Sequence, residues 1–302
     1  RGRRFETEPG ESYQMDWGFV RVEGWDGGDF KIACFAMVCH HCGTCYVEFF
    51  PNARQENLFI GMVHAFMVMG VPEYVLTDNM RSVTTGRDIE GKPIWQVDYA
   101  AFMACVGFRT RLCKPYHPFT KGKVERLVSY VKRNFAAGRK FCNATDLNAQ
   151  ALEWCARQSG RYRRAMDCVP AEEHAAKCLP AAAQIERTEE LAMYLCPRRR
   201  ISFDGFVSYE GRRFGVPYWY PGKTCRVSRE GELVHVYADD LSRELAAHPV
   251  TWSRKDSFCA DQYADDQPVE LPTTPVTTAI GQLGPSRDKP GFDKFDFEGR
   301  LR

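Results

Sequence analysis

No run of apolar residues in this 302-residue chain is long enough to span a membrane, and no signal peptide heads it. Overall charge is scarce too: 41 basic against 39 acidic residues leave a formal +2. That excludes a globally basic nucleic-acid coat and points to local charge instead. The chain begins Arg-Gly-Arg-Arg rather than with Met, and is read as a segment of a longer protein. Thirteen cysteines, an odd number, are scattered through apolar runs such as Ile32-Ala33-Cys34-Phe35. They are expected to be reduced, buried thiols in a cytosolic protein. The turn Cys39-His40-His41-Cys42-Gly43-Thr44-Cys45 has a spacing that can furnish zinc ligands. No second ligand pair follows nearby at zinc-finger spacing, and a hairpin turn belongs there, so a plain turn is the reading adopted.

The charge is unevenly spread. From Lys255 onward there are six basic and nine acidic residues, which leaves +5 on the preceding 254. Arg109 to Lys140 carries ten Lys or Arg and one acid, Glu125. A lone carboxylate among so many cations stays ionised, which suits a metal ligand beside a polyanion better than a proton shuttle.

Glu11 to Val22 alternates, with Tyr13, Met15, Trp17 and Phe19 on one face and Gln14, Asp16 and Gly18 on the other. Strands are predicted over Phe30–Val38 and Thr44–Phe50, a helix over Gln55–Met69, and a strand over Glu73–Asn79 with Asp78 at its carboxyl end. Another helix (Asp98–Val106) and strand (Thr110–Lys114) follow, then a loop and a helix over Lys121–Phe135. Val124, Leu127, Val128, Val131 and Phe135 form that helix's buried stripe, with Lys121, Glu125 and Lys132 on an outward flank. Leu147 to Ala183 reads as helical, broken at Pro170 and Pro180, with Arg161 to Arg164 on a solvated face or against phosphate. Short strands over Ile201–Tyr209, Arg212–Pro217, Thr224–Arg229 and Leu233–Ala238 suggest a small β-barrel. No periodicity survives beyond Ser253.

Asp16, Asp78 and Glu125 are separated by 62 and 47 residues. If the first and fourth strands are neighbours and the helix lies across them, the three carboxylates converge, and oxygen-rich ligation suits Mg²⁺ or Mn²⁺. Two such ions about 3.5–4 Å apart can activate an attacking oxygen and stabilise a leaving one in phosphoryl displacement. Asp88, Glu90, Asp98 and Glu48 are rival acids in turn-like or ordinary amphipathic settings.

Gln14-Met15-Asp16-Trp17, Thr77-Asp78-Asn79 and Pro115-Tyr116-His117-Pro118-Phe119-Thr120-Lys121-Gly122-Lys123-Val124-Glu125-Arg126 together resemble the DDE core of integrases and transposases. The chain is most similar to IstA-type transposases of bacterial insertion sequences, over about Tyr13 to Lys140 by motif and more loosely beyond. The resemblance implies an α/β fold with a ribonuclease H-like mixed sheet flanked by helices, then a helical connector and a Mu-transposase-like all-β barrel. The expected layout is a linker at 1–10, the core at 11–140, the connector at 141–197, the barrel at 198–252 and an extended or disordered tail at 253–302. It makes Asp16, Asp78 and Glu125 the catalytic ligands of two Mg²⁺ or Mn²⁺ ions. It makes Asn79, Lys121 and Lys123 contacts to DNA; Lys132, on the flank of Lys121 and Glu125, is placed to hold phosphate, and His117 is read as a loop residue touching DNA or packing beside Pro118. The implied activity is 3′-end cleavage and strand transfer of transposon-end DNA into double-stranded target DNA. The implied partners are further copies of the chain and an AAA+ helper ATPase of the IstB type. The implied location is the bacterial cytoplasm, at the nucleoid. A non-catalytic DNA-binding or assembly protein on the same fold, or a ribonuclease H-like nuclease, are the alternatives. The family's N-terminal helix-turn-helix modules are not visible in the sequence.

Overall fold

The computed structural model describes residues 7–24, 29–113, 121–141, 144–186, 188–210, 212–230, 233–249 and 255–263. His117, the predicted loop over 115–120 and the chain beyond 263 lie outside the described residues. The chain divides into two compact units, 1–186 and 187–302.

The first unit opens with an antiparallel meander of β1 (Ser12–Gly24), β2 (Asp29–Cys39) and β3 (Cys45–Phe50). Helix α1 (Gln55–Met69) leads to β4 (Tyr74–Thr77), which lies beside β1 and parallel to it. A small hairpin, β5 (Thr84–Arg87) with β6 (Pro93–Trp95), and helix α2 (Val97–Val106) precede β7 (Arg109–Leu112), parallel to β4. Helix α3 (Gly122–Tyr130) continues through a π-type turn, Val131–Phe135, to the short β8 (Lys140–Phe141), which pairs with β1. The main sheet therefore runs β3-β2-β1-β4-β7, the ribonuclease H-like mixed sheet anticipated from the motifs. The β5–β6 hairpin was not anticipated; its strands are short and mostly exposed, with no apolar alternation to reveal them.

Both faces of the sheet are covered near the start of β1, where Ser12 to Met15 are all buried. Trp17 packs edge-on against Phe35 and Phe50, on the face that α1 covers. There Gly61 of α1 sits so close to Phe35 that a Cβ would lie 3.0 Å from its ring. The opposite face packs Cys34, Ala36 and Val38 against Val124, Val128, Val131 and Phe135 of the α3 segment. The apolar alternation of β1 overshoots its cover at Phe19, which is 50% exposed and lies under the Lys31 ammonium instead.

The connector departs from the expected helical stretch Leu147–Ala183 broken at Pro170 and Pro180. Helix α4 (Ala144–Ser159) ends well before Pro170, and Leu147, Ala151 and Trp154 belong to the same core as α3 and β3. Arg161 to Arg164 sits in a turn closed by pairing of Arg163 with Cys168, not on a helix face. Pro170 starts a helix rather than breaking one, because a first-turn proline forfeits no hydrogen bond. That helix, α5 (Pro170–Glu173), runs on through a π-type turn, His174–Cys178, to a last turn, Leu179–Ala181.

In the second unit, helix α6 (Glu189–Leu195) is capped by the Thr188 hydroxyl, which accepts from the Leu191 amide at 3.1 Å. Six strands follow: β9 (Arg198–Arg200), β10 (Phe206–Tyr209), β11 (Arg212–Gly215), β12 (Thr224–Glu230), β13 (Leu233–Ala238) and β14 (Glu244–Pro249). They form a four-stranded sheet, β14-β13-β12-β9, and a two-stranded one, β10-β11, around one core of residues including Val207, Phe214, Val227 and Val236. β9 is all arginine and β14 ends His-Pro, so neither announces itself as a strand. Part of the expected tail is structured: Ser257 exchanges backbone hydrogen bonds with β11, and Asp261 accepts from the Trp219 indole at 3.1 Å.

His248 on β14 is buried and fully satisfied as a neutral ring, with Nε2 donating to the Gly215 carbonyl at 2.9 Å and Nδ1 accepting from Ser257 at 3.0 Å. Burial pushes its pKa below the usual histidine value. A depressed histidine favours the fold while neutral, so stability is complete above about pH 6.5 and declines as pH falls through that value. The melting temperature of this unit should therefore drop between about pH 7.5 and 5.5, and His248→Gln should flatten that drop. A calorimetric pH series on both proteins checks this.

Candidate active site at the carboxyl end of β4

Within β1, Gln14 pairs with Leu76 of β4. Two residues further along each strand direction are Asp16 on β1 and Asp78 just past β4, so parallel pairing brings two acids 62 residues apart side by side. Asp78 follows the last residue of β4, at the strand end where α/β sheets gather ligands.

Both acids close on one cation. The Lys121 ammonium lies 2.8 Å from Asp16 Oδ1 and 2.6 Å from Asp78 Oδ2, and its side chain is only 2% exposed. Asp16 is 20% exposed and Asp78 54%. Lys121 therefore does not sit on an outward flank with Glu125 and Lys132, as helical spacing suggested. It precedes the first helical residue, and its non-helical backbone (φ −114°, ψ 12°) removes it from that periodicity.

Burial raises the Asp16 pKa; Lys121 counteracts this and the nearby Asp78 charge adds to it. Burial pulls Lys121 down, but its hydrogen bonds to Asp16 and Asp78 more than offset that and raise it. The two shifts disagree, since a raised carboxyl favours neutrality and a raised amine favours charge. Two carboxylate oxygens within 2.8 Å of one nitrogen describe an ammonium, so the charged pair is the state the geometry supports.

Three residues of one β1 face set helix α3 beside these acids. Gln14 Oε1 accepts from the backbone amides of Lys123 (3.1 Å) and Val124 (3.2 Å), satisfying amides that no local side chain caps. Asp16 holds Lys121. Gly18 lets the helix approach: a Cβ there would lie 2.4 Å from Val128 Cγ1. Replacing Gln14 by Leu strands two amides and should cost about 1–3 kcal/mol, read as a lower urea midpoint at unchanged slope. In the sequence Gly18 stands out only by alternation and Gln14 by alternation and its place beside Asp16; the α3 partners that give both their packing role lie more than a hundred residues away.

Glu125 lies on α3 between Val124 and Val128, the two buried residues that seat the helix. Its side chain is exposed, and among the described residues no contact joins it to Asp16 or Asp78. Asn79 is exposed beside Asp78, and Lys132 is exposed on the π-type turn. Lys123 turns to the His40 carbonyl. Of the rival acids, Glu48 is buried against His64 at 3.0 Å and Asp88 caps the β5–β6 turn.

The donor set suits a divalent cation. Two hard carboxylate oxygens already converge on one positive charge, and Mg²⁺ or Mn²⁺ prefers such oxygens. Lys121 occupies one oxygen of each carboxylate, Asp16 Oδ1 and Asp78 Oδ2, so an ammonium and a metal ion would compete for those two atoms.

Residues 189–260 match the family described as Mu transposase, C-terminal domain. A putative transposase for insertion sequence element IS5376 of Geobacillus stearothermophilus is 31% identical, over 74% of this chain and 55% of its own length. The transposase for insertion sequence element IS21 of Pseudomonas aeruginosa is 28% identical, over 81% of this chain and 62% of its own. The chain thus spans 55–62% of the length of these relatives. Among solved structures, a simian T-cell lymphotropic virus intasome in complex with PP2A regulatory subunit B56 gamma aligns with a TM-score of 0.43 at 14% identity, over 86% of this chain and 83% of that one. The HTLV-2 integrase catalytic core domain in complex with magnesium aligns at 0.38 and 11%, over 56% of this chain and 98% of that one.

Proposed function

We propose that this chain, a relative of the transposases of IS21-type insertion sequences, carries the catalytic core of a DNA transposase. The observation that carries the reading is the convergence of Asp16 and Asp78, from adjacent parallel strands, on a single cation. Asp16, Asp78 and Glu125 would hold Mg²⁺ or Mn²⁺, two ions in all, whose chemistry is activation of the attacking oxygen and stabilisation of the leaving one.

The chain's own residues divide the remaining work. Gln14 and Gly18 fix α3 against β1, and so fix the backbone of Glu125. Lys121 keeps Asp16 and Asp78 together before metal enters, offsetting their mutual repulsion. Displaced by a bound metal, its ammonium would be available to a phosphate, as would exposed Lys132 and Asn79. The substrates would be transposon ends and double-stranded target DNA, joined by copies of the chain acting together with an AAA+ helper of the IstB type. Work at the bacterial nucleoid follows from such substrates.

The same lysine favours a second reading, a non-catalytic assembly protein in which Lys121 permanently takes the place of metal. One assay separates the two. The full-length protein is incubated with its element's end DNA, a target plasmid and Mg²⁺ or Mn²⁺. Metal-dependent joining of 3′ ends to the target supports the transposase; end binding without cleavage supports the assembly role; cleavage without joining supports a nuclease.

A further inference from the structure

The turn between β2 and β3 meets the helix that begins at Pro170, and its side chains are chemically distinct from those of the acidic site. Cys39 ends β2, Cys42 lies in the turn, and His174 and Cys178 bound the π-type segment of the helix. All four are buried, and their sulfur and imidazole nitrogen atoms lie within 4.8 Å of one another. Cys39 Sγ is 3.8 Å from Cys178 Sγ, and Cys42 Sγ is 3.3 Å from His174 Nδ1. Tetrahedral zinc, with bonds of about 2.3 Å to sulfur and about 2.0 Å to nitrogen, sets its ligand atoms roughly 3.5–3.8 Å apart. A disulfide would need sulfurs at about 2.05 Å.

The surroundings are arranged for a metal as well. Cys39 and Thr44 are joined by a backbone hydrogen bond of 2.8 Å, and Gly43 donates to the Cys39 carbonyl at 3.0 Å. Gly43 has φ +79°, the left-handed conformation that lets the chain reverse at once after Cys42. His174 Nε2 lies 3.0 Å from the Met69 carbonyl, which can only accept. That carbonyl fixes the proton on Nε2 and leaves the Nδ1 lone pair facing the Cys42 sulfur, as an outer partner does for a ligating histidine. The helix is also clamped to the turn independently, through Thr44 Oγ1 donating to the Pro170 carbonyl at 2.8 Å.

We propose that Cys39, Cys42, His174 and Cys178 bind one structural zinc ion that fastens the β2–β3 turn to the connector helix. Four protein ligands leave no open coordination position, which marks a structural rather than a catalytic site. Thiolates select a soft metal, so this site and the carboxylate site take different ions. Binding exchanges the thiol protons for the metal, and those protons pass to solvent. The second ligand pair, His174-Ala-Ala-Lys-Cys178, lies 132 residues after Cys42, which is why local spacing around the turn argued against zinc.

Metal analysis of the purified, dialysed chain should find about one zinc per chain. Cys178→Ser and His174→Ala should lose it, while Cys105→Ser retains it. Cobalt exchanged into the wild type should show a thiolate-to-metal charge-transfer band and the intense visible bands of tetrahedral geometry. Because a ligand variant can fail to fold, the wild type is also melted with and without a strong chelator. The melting temperature should fall on stripping and recover with Zn²⁺ but not with Mg²⁺. A folded wild type that holds no zinc and melts identically under all these conditions overturns the site. So does a Cys39–Cys178 disulfide in its mass spectrum.

Discussion

Replacing Asp78 by Asn should reduce metal-dependent strand joining by about a thousandfold or more while leaving end-DNA binding intact. A metal ligand is worth several kcal/mol of transition-state stabilisation, and about 4 kcal/mol corresponds to roughly three decades in rate. Asp16→Asn and Glu125→Gln should behave alike, because ligands of one metal site act as a unit and their losses do not add. DNA binding should hold or tighten slightly, since each substitution removes a negative charge that faces phosphate. Single-turnover joining kinetics paired with a binding titration read both quantities. A Glu125→Gln protein that joins at the wild-type rate would remove Glu125 from the site and leave Asp16 and Asp78 to be explained as an ion pair.

Lys121→Met should shift the protein in two opposed directions. Without metal, Asp16 and Asp78 lose the ammonium 2.8 and 2.6 Å away and face each other uncompensated. Breaking a fully buried pair costs about 3–5 kcal/mol; the 54% exposure of Asp78 allows solvent to screen its charge, so about 2–3 kcal/mol is expected here. With metal, the competing cation is gone, so Mn²⁺ should bind more tightly and stabilise the variant more than the wild type. Thermal melts over a Mn²⁺ series check both, the two curves converging as metal rises. A variant equally stable at all Mn²⁺ concentrations would mean that Lys121 and metal do not share the site.

Much of this arrangement is visible in the sequence because it is written locally. The alternation of Tyr13, Met15 and Trp17 gives β1, the run Gln55–Met69 ending at Gly70 gives α1, and Asp78 closes an apolar strand. Three acids in order identify a candidate site without the fold. What stays hidden is written between distant segments. Gln14 satisfies amides of α3, Gly18 is read only against Val128, and Lys121 leaves its helix to bridge two strands. The zinc ligands are the extreme case: a Cys pair in a turn and a His–Cys pair in a connector helix, neither diagnostic alone. Strands β9 and β14 escape for a different reason, since pairing with β12 and β13 supplies the order that their own residue propensities do not.

The central claim, that the three acids form one divalent-metal site on DNA, is tested most directly by counting Mn²⁺ bound to the zinc-loaded, end-DNA-bound protein by electron paramagnetic resonance. The wild type should hold about two ions per active site, and Asp16→Asn, Asp78→Asn and Glu125→Gln should each lower that number. Equal Mn²⁺ occupancy in the wild type and all three variants would contradict the account.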